Sequence, residues 1–216
     1  MAAPEVRPSP SFTTAKLTSG TIEDMIDIYE DRVRGFLLEH ARALVPRPNS
    51  ELAVLQLVIG YFESHATYLR GQDSKGRSPE FFKAGFLDVF GVGAKIESPD
   101  MPIPPGFLEE LAEMLYEDAR CGLSHDAMTR RRIMLSHHAK APIGASVNMA
   151  TQKIAATIVN PRKWLDEVEA HLKEYVTRLR DPKNVDLRRK FETLFKLKNP
   201  PGAVINFPPV PGGFFE

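Results

Sequence analysis

Arg120 and His125 stand five positions apart in ARCGLSHD (residues 119–126), and their side chains are chemically complementary. Arg is a fixed cation whose planar fork grips a phosphate through two hydrogen bonds. His titrates near neutral pH and can take or give a proton. Facing one phosphodiester, the two form the minimum kit for cutting RNA without a metal. The imidazole activates the ribose 2′-hydroxyl, and the guanidinium neutralises charge building on the phosphorane oxygens. On a straight helix the two side chains project about 140° apart. Gly122 lies between them and weakens a helix by roughly 1 kcal/mol relative to Ala. A bend or a helix end at this Gly is therefore the expected way of bringing Arg120 and His125 to one side.

Other chemistry is available to the same residues. Gly122 can simply close a helix, with Arg120 as a last-turn cation paired to Glu117 and His125 as a structural side chain. Cys121 and His125 are helical neighbours at a spacing of four, the arrangement of a thiolate–imidazolium pair, but a lone Cys is usually a small buried hydrophobe. His125, Asp126, His137 and His138 invite a metal reading; adjacent His side chains point in different directions, so neither a metal nor another cofactor is expected. Arg130, Arg131 and Arg132 are the densest basic run, either a phosphate-tracking patch or a solvated turn. Tyr61, Tyr68, Phe81, Phe82 and Tyr116 recur at helical spacing and are expected in the core rather than stacked on bases.

The elements that position these residues are mainly helical. Residues 1–20 are rich in Pro, Ser and Thr and read as a flexible arm. Thr21 with Asp24 marks a helix start, followed by Ile22, Met25, Ile26, Tyr29, Val33, Phe36, Leu37 and Leu44 or Val45 on one face, stopped by Pro46 and Pro48. A second helix shows Leu52, Leu55, Ile59, Phe62, Ala66 and Leu69, and a third opens at Pro79. The Pro-rich connector ESPDMPIPPG launches the helix carrying Arg120, and GVGA (91–94) reads as a loop. Lys153 to Val159 is β-prone, with Arg132–Ser136 as its expected hairpin partner. Pro161 opens a strong helix lined by Trp164, Leu165, Val168, Leu172, Tyr175, Val176 and Leu179. The expected fold is thus mainly α, a bundle of about four or five helices over 21–180 with a minor β-hairpin. A further helix follows at 181–198, then a Pro/Gly-rich tail at 199–216.

The 216 residues carry 28 basic and 28 acidic side chains. That balance supplies no net field to advertise a nucleic-acid or membrane partner, though it leaves room for a local basic patch. One Cys cannot form an intramolecular disulfide, no apolar run spans a bilayer, and the N-terminus lacks the apolar core of a secretory signal. The expectation is a cytoplasmic protein with no membrane association.

A helical bundle carrying Arg, four residues, then His near the end of one helix resembles the HEPN superfamily, whose hallmark is Arg-x(4–6)-His. Here the match is Arg120-Cys121-Gly122-Leu123-Ser124-His125. The resemblance implies a homodimer with both motifs lining one cleft, and metal-independent endoribonuclease activity. Arg120 would be the phosphate clamp and His125 the acid/base, with Cys121 and Ser124 beside them. Active members commonly carry a polar residue, often Asn, after the Arg, and Cys121 departs from this. An acidic or polar residue on another helix often supports the pair, and Glu63 in GYFESHATYL is the candidate. RNA and a cognate antitoxin or regulatory protein are the implied partners. The other reading is a non-catalytic helical binding or scaffolding protein, in which the motif is structural or only binds RNA or nucleotides.

Overall fold

The structure, a computed structural model, describes residues 7–18, 20–91, 96–97, 106–130, 132–148, 150–151 and 153–200. Expectations for Arg131, the GVGA loop beyond Gly91, most of the Pro-rich connector and the tail beyond Pro200 lie outside them. Within the expected arm, α1 (Thr14–Thr18) is tied down: Lys16 pairs with Asp27, and the Ser11 backbone N–H and hydroxyl both donate to Asp31.

Thr21 accepts a hydrogen bond from the Asp24 backbone N–H and so starts α2 (Ile22–Val33). This helix passes through a π-helical turn (Arg34–Leu38) into α3 (Glu39–Leu44). A π turn holds one extra residue, so the buried stripe jumps from Val33 to Leu38 and Ala41. Phe36, expected on the buried face, is 46% exposed for that reason.

α4 (Glu51–Arg70) is the central element. It packs against α3, α5 (Ser78–Phe90), α8 (Pro161–Arg180) and α9 (Val185–Lys198). Burial on so many sides exceeds the single apolar face read from its sequence: Val54, Val58, Tyr61, His65 and Tyr68 are buried along with Leu55, Ile59, Phe62 and Ala66. Its closest neighbour is α5, where Gly85 lets the helix approach the Phe62 carbonyl. Phe62, Phe82, Phe86, Phe90 and Trp164 form an aromatic cluster between α4, α5 and α8. Asn160 caps α8 by accepting from the Lys163 N–H, with Pro161 at the first helical position.

The small sheet has the order β1 (Ile96–Glu97), β3 (Ile143–Asn148), β4 (Lys153–Val159), β2 (Ile133–Leu135). β4 forms where expected, but its hairpin partner is β3, antiparallel from Ile143↔Val159 to Asn148↔Lys153. β2, the expected partner, instead joins β4 in parallel, with Ile133 opposite Thr157. The reason is chain length. A tight turn lies directly between β3 and β4, where Asn148 Oδ1 accepts from the Ala150 and Thr151 N–H groups. β2 reaches the other edge of β4 only by a crossover.

Candidate functional site

The helix bearing the motif starts as α6 (Phe107–Met114), passes through a second π-helical turn (Leu115–Arg120) and continues as α7 (Cys121–Asp126). Its buried positions Leu111, Leu115, Ala119 and Leu123 repeat every four residues. On an α-helix that spacing drifts about 40° per step, and a wider π turn absorbs the drift. The Cys121 N–H therefore bonds back five residues to the Tyr116 carbonyl.

Gly122 neither bends nor ends this helix. α7 runs through it to Asp126, and Ala127 turns left-handed to reverse the chain. The returning chain then passes directly over Gly122, where a Cβ would lie 2.5 Å from the Met128 carbonyl oxygen. Just beyond, the Arg130 N–H donates to the Asp118 carbonyl at 2.7 Å. The Gly is thus explained by close approach of backbone, not by a kink. Arg120 and His125 keep the angular separation of an unbroken helix, and no hydrogen bond joins them among the described residues.

Arg120 reaches across to α4, where its Nη2 donates to Glu63 Oε2 at 3.2 Å. Glu63 Oε1 accepts from the Ser74 hydroxyl at 2.8 Å, so the carboxylate is itself held from two sides. The Arg120 guanidinium also lies over the Tyr116 ring, 5.7 Å from its centroid. Both charged side chains are largely covered, with 30% and 17% of their surface exposed. His125 is exposed and has no hydrogen-bond partner among the described residues; Ser124 is exposed and Cys121 half-buried. The structure therefore joins Glu63 to Arg120, and leaves His125 presented to solvent on the next turn.

The basic run is engaged within the chain. Arg130 pairs with Asp126 and donates to the Glu117 carbonyl, while Arg132 binds Asp118 at 2.5 Å and Glu117 more loosely. These two Arg side chains line an open groove of about 720 Å³ with Met128, Thr129 and Ile133, directly after the motif. His137 pairs with Glu51, at the start of α4, so it does not converge with His125 and Asp126.

One polar cluster escaped the sequence reading. His65 of α4, Asp88 of α5 and His171 of α8 meet in the structure, with Tyr61 behind them. Asp88 Oδ2 accepts from His65 Nε2 at 2.7 Å and His171 Nε2 at 3.1 Å, because an ionised carboxylate has no proton to give. Tyr61 Oη lies 2.9 Å from His171 Nδ1. These hydrogen bonds hold Asp88 well below the usual carboxylate range, His171 contributing most and His65 next. Burial pushes His65 downward, outweighing the raising influence of Asp88. No short motif links these residues; only the packing of three helices brings them together.

No helix among the described residues is long and apolar enough to cross a membrane. Compared with family models, curated proteins and solved structures, the chain matches none of them.

Proposed function

We propose that the protein is a HEPN-like, metal-independent endoribonuclease that works as a homodimer. The single observation carrying this reading is the Glu63–Arg120 ion pair. A carboxylate on α4, anchored by Ser74, orients the guanidinium of an Arg-x4-His motif whose His125 stands free in solvent. A merely capping Arg would be expected to pair within its own helix; Arg120 is aimed instead by another element.

In this reading Arg120 bridges two phosphate oxygens and stabilises the charge that develops as the ribose 2′-oxygen attacks. One His125 imidazole takes the 2′-hydroxyl proton; the bond from phosphorus to the 5′-oxygen breaks, and that oxygen leaves with a proton from a second imidazole. The products are a 2′,3′-cyclic phosphate and a 5′-hydroxyl. Two copies supply two imidazoles. The pairing also answers the geometry of α7: Arg120 and His125 point about 140° apart along one helix, so a phosphate at the junction meets the Arg of one copy and the His of the other. The groove after the motif has Arg130 and Arg132 in its wall, and the flanking RNA backbone takes it by displacing Asp126 and Asp118, which line the groove and pair with them.

The test is cleavage of single-stranded RNA by the purified protein in EDTA. Arg120→Ala is expected to lose on the order of 100- to 1000-fold in rate, and His125→Ala a comparable factor. Mixed dimers of wild type and His125→Ala should be nearly as slow as the variant itself, because they hold one imidazole where the reaction uses two. Wild-type protein that cuts none of a varied set of RNAs would end this reading. Cleavage that persists in His125→Ala would end it as well.

A further inference from the structure

We propose that His65, Asp88 and His171 form a binding site for one divalent transition-metal ion of the zinc type, separate from the Arg120 site. The donor set is two imidazole nitrogens and one carboxylate oxygen, which suits zinc and similar borderline ions rather than calcium or magnesium. The three ligand atoms already lie within 4.8 Å of one another, on three different helices. Around an ion with bonds of about 2.0–2.1 Å, such atoms sit roughly 3.3 Å apart. Asp88, at 2.7 and 3.1 Å from the two nitrogens, needs to withdraw slightly, and the two nitrogens, up to 4.8 Å apart against at most about 4.2 Å across one ion, must draw together as the ion enters. Its side chain is one-third exposed, so it has room to do so.

Two further features fit an ion better than a sealed polar network. The cluster is asymmetric in burial: His65 is fully buried, whereas Asp88 and His171 reach solvent, leaving an open side for entry and for a water ligand. Tyr61 stands on the far nitrogen of His171 at 2.9 Å, the outer-shell position that fixes a ligating imidazole with its other nitrogen inward. Without the ion, both Nε2 atoms carry the hydrogen that Asp88 accepts. When it binds, each ring moves that proton to Nδ1: His171 donates it to Tyr61, whereas His65 holds it on a buried Nδ1 with no acceptor, a cost that the bonds to the ion must offset.

His65 and Glu63 are two residues apart on α4 and so face about 200° apart around it. The ion therefore ties α4, α5 and α8 together behind the RNA site and takes no part in cleavage.

The full chain, stripped with chelator and dialysed, is titrated with Co²⁺ alone and then with Zn²⁺. The expected result is a saturable visible absorption at one Co²⁺ per chain, displaced by Zn²⁺. Asp88→Asn and His171→Gln should remove it, and His137→Gln should leave it intact. Tyr61→Phe, isosteric and therefore safe for folding, should weaken binding by roughly 10- to 100-fold. No saturable absorption with wild-type protein overturns the proposal. So does a titration left unchanged by Asp88→Asn with its helical circular dichroism preserved. None of these readouts depends on RNA cleavage.

Discussion

Glu63 is the residue on which the difference between a structural and a functional Arg120 turns. A partly covered ion pair contributes at most about 1 kcal/mol to folding, so its loss barely moves stability. Misplacing a phosphate-binding guanidinium by an ångström, in contrast, costs on the order of 100-fold in rate. Glu63→Gln keeps the side chain's size and an acceptor for Ser74. It is expected to leave the urea midpoint nearly unchanged while lowering RNA cleavage tenfold or more. Equal, small effects on both would reduce the pair to a surface contact. Gly122 carries a different lesson at the same scale. Its residue type was legible as a signal, but the sequence pointed to a bend, whereas the cause is the Met128 carbonyl overhead. A residue missing its Cβ reports that space is short without saying what fills it.

At the scale of elements, the glycines of α4 and α5 make a paired experiment. A Cβ on Gly85 would fall 1.8 Å from the Phe62 carbonyl oxygen, whereas one on Gly60 meets nothing within 4 Å. Gly85→Ala must push the two helices apart and is expected to cost about 2 kcal/mol or more, despite Ala's better helix propensity. Gly60→Ala is expected to gain roughly 0.5–1 kcal/mol. Chemical denaturation of both variants checks the sign as well as the size. The same elements mark how far the sequence could be read. Thr21, Pro79 and Pro161 announced their helices because caps and first-turn prolines act locally. The outward turn of Phe36 could not be read from a 3.6-residue period, since one inserted π residue rephases everything after it. Strand β4 was legible from its β-branched residues. Its partner was not, because pairing depends on where the intervening chain turns. The Glu63–Arg120 contact was anticipated only as a candidate from resemblance; the His65–Asp88–His171 cluster had no sequence signal at all.

Across the whole molecule, Asp88 is where three core helices share one charge, and this gives the fold a defined response to acid. Asp88 ionises in the folded chain well below its unfolded value of about 3.9. The native state therefore holds fewer protons than the unfolded chain in that range, and stability rises with pH. The contribution from Asp88 is complete above the unfolded value and is lost as pH falls toward the folded one. His65 acts in the same direction but earlier. Burial lowers it beneath the ordinary value of about 6.5, so the unfolded chain takes up that proton first as pH drops below neutrality. Wild-type protein in chelator should thus lose stability in two stages on acidification, one below neutral pH and one below about 4. Asp88→Asn shrinks the second stage, to which other partnered carboxylates such as Asp27 and Asp31 also contribute. Its deficit against wild type should be greatest near neutral pH and begin to shrink as pH falls below about 4, where the unfolded chain's carboxylate takes up a proton while the folded one stays ionised. Urea midpoints of both proteins, taken from neutral pH down to about 3, test this. A deficit that stays constant across the range would mean that the charge on Asp88 does not hold α4, α5 and α8 together, and that the aromatic packing around Trp164 does so alone.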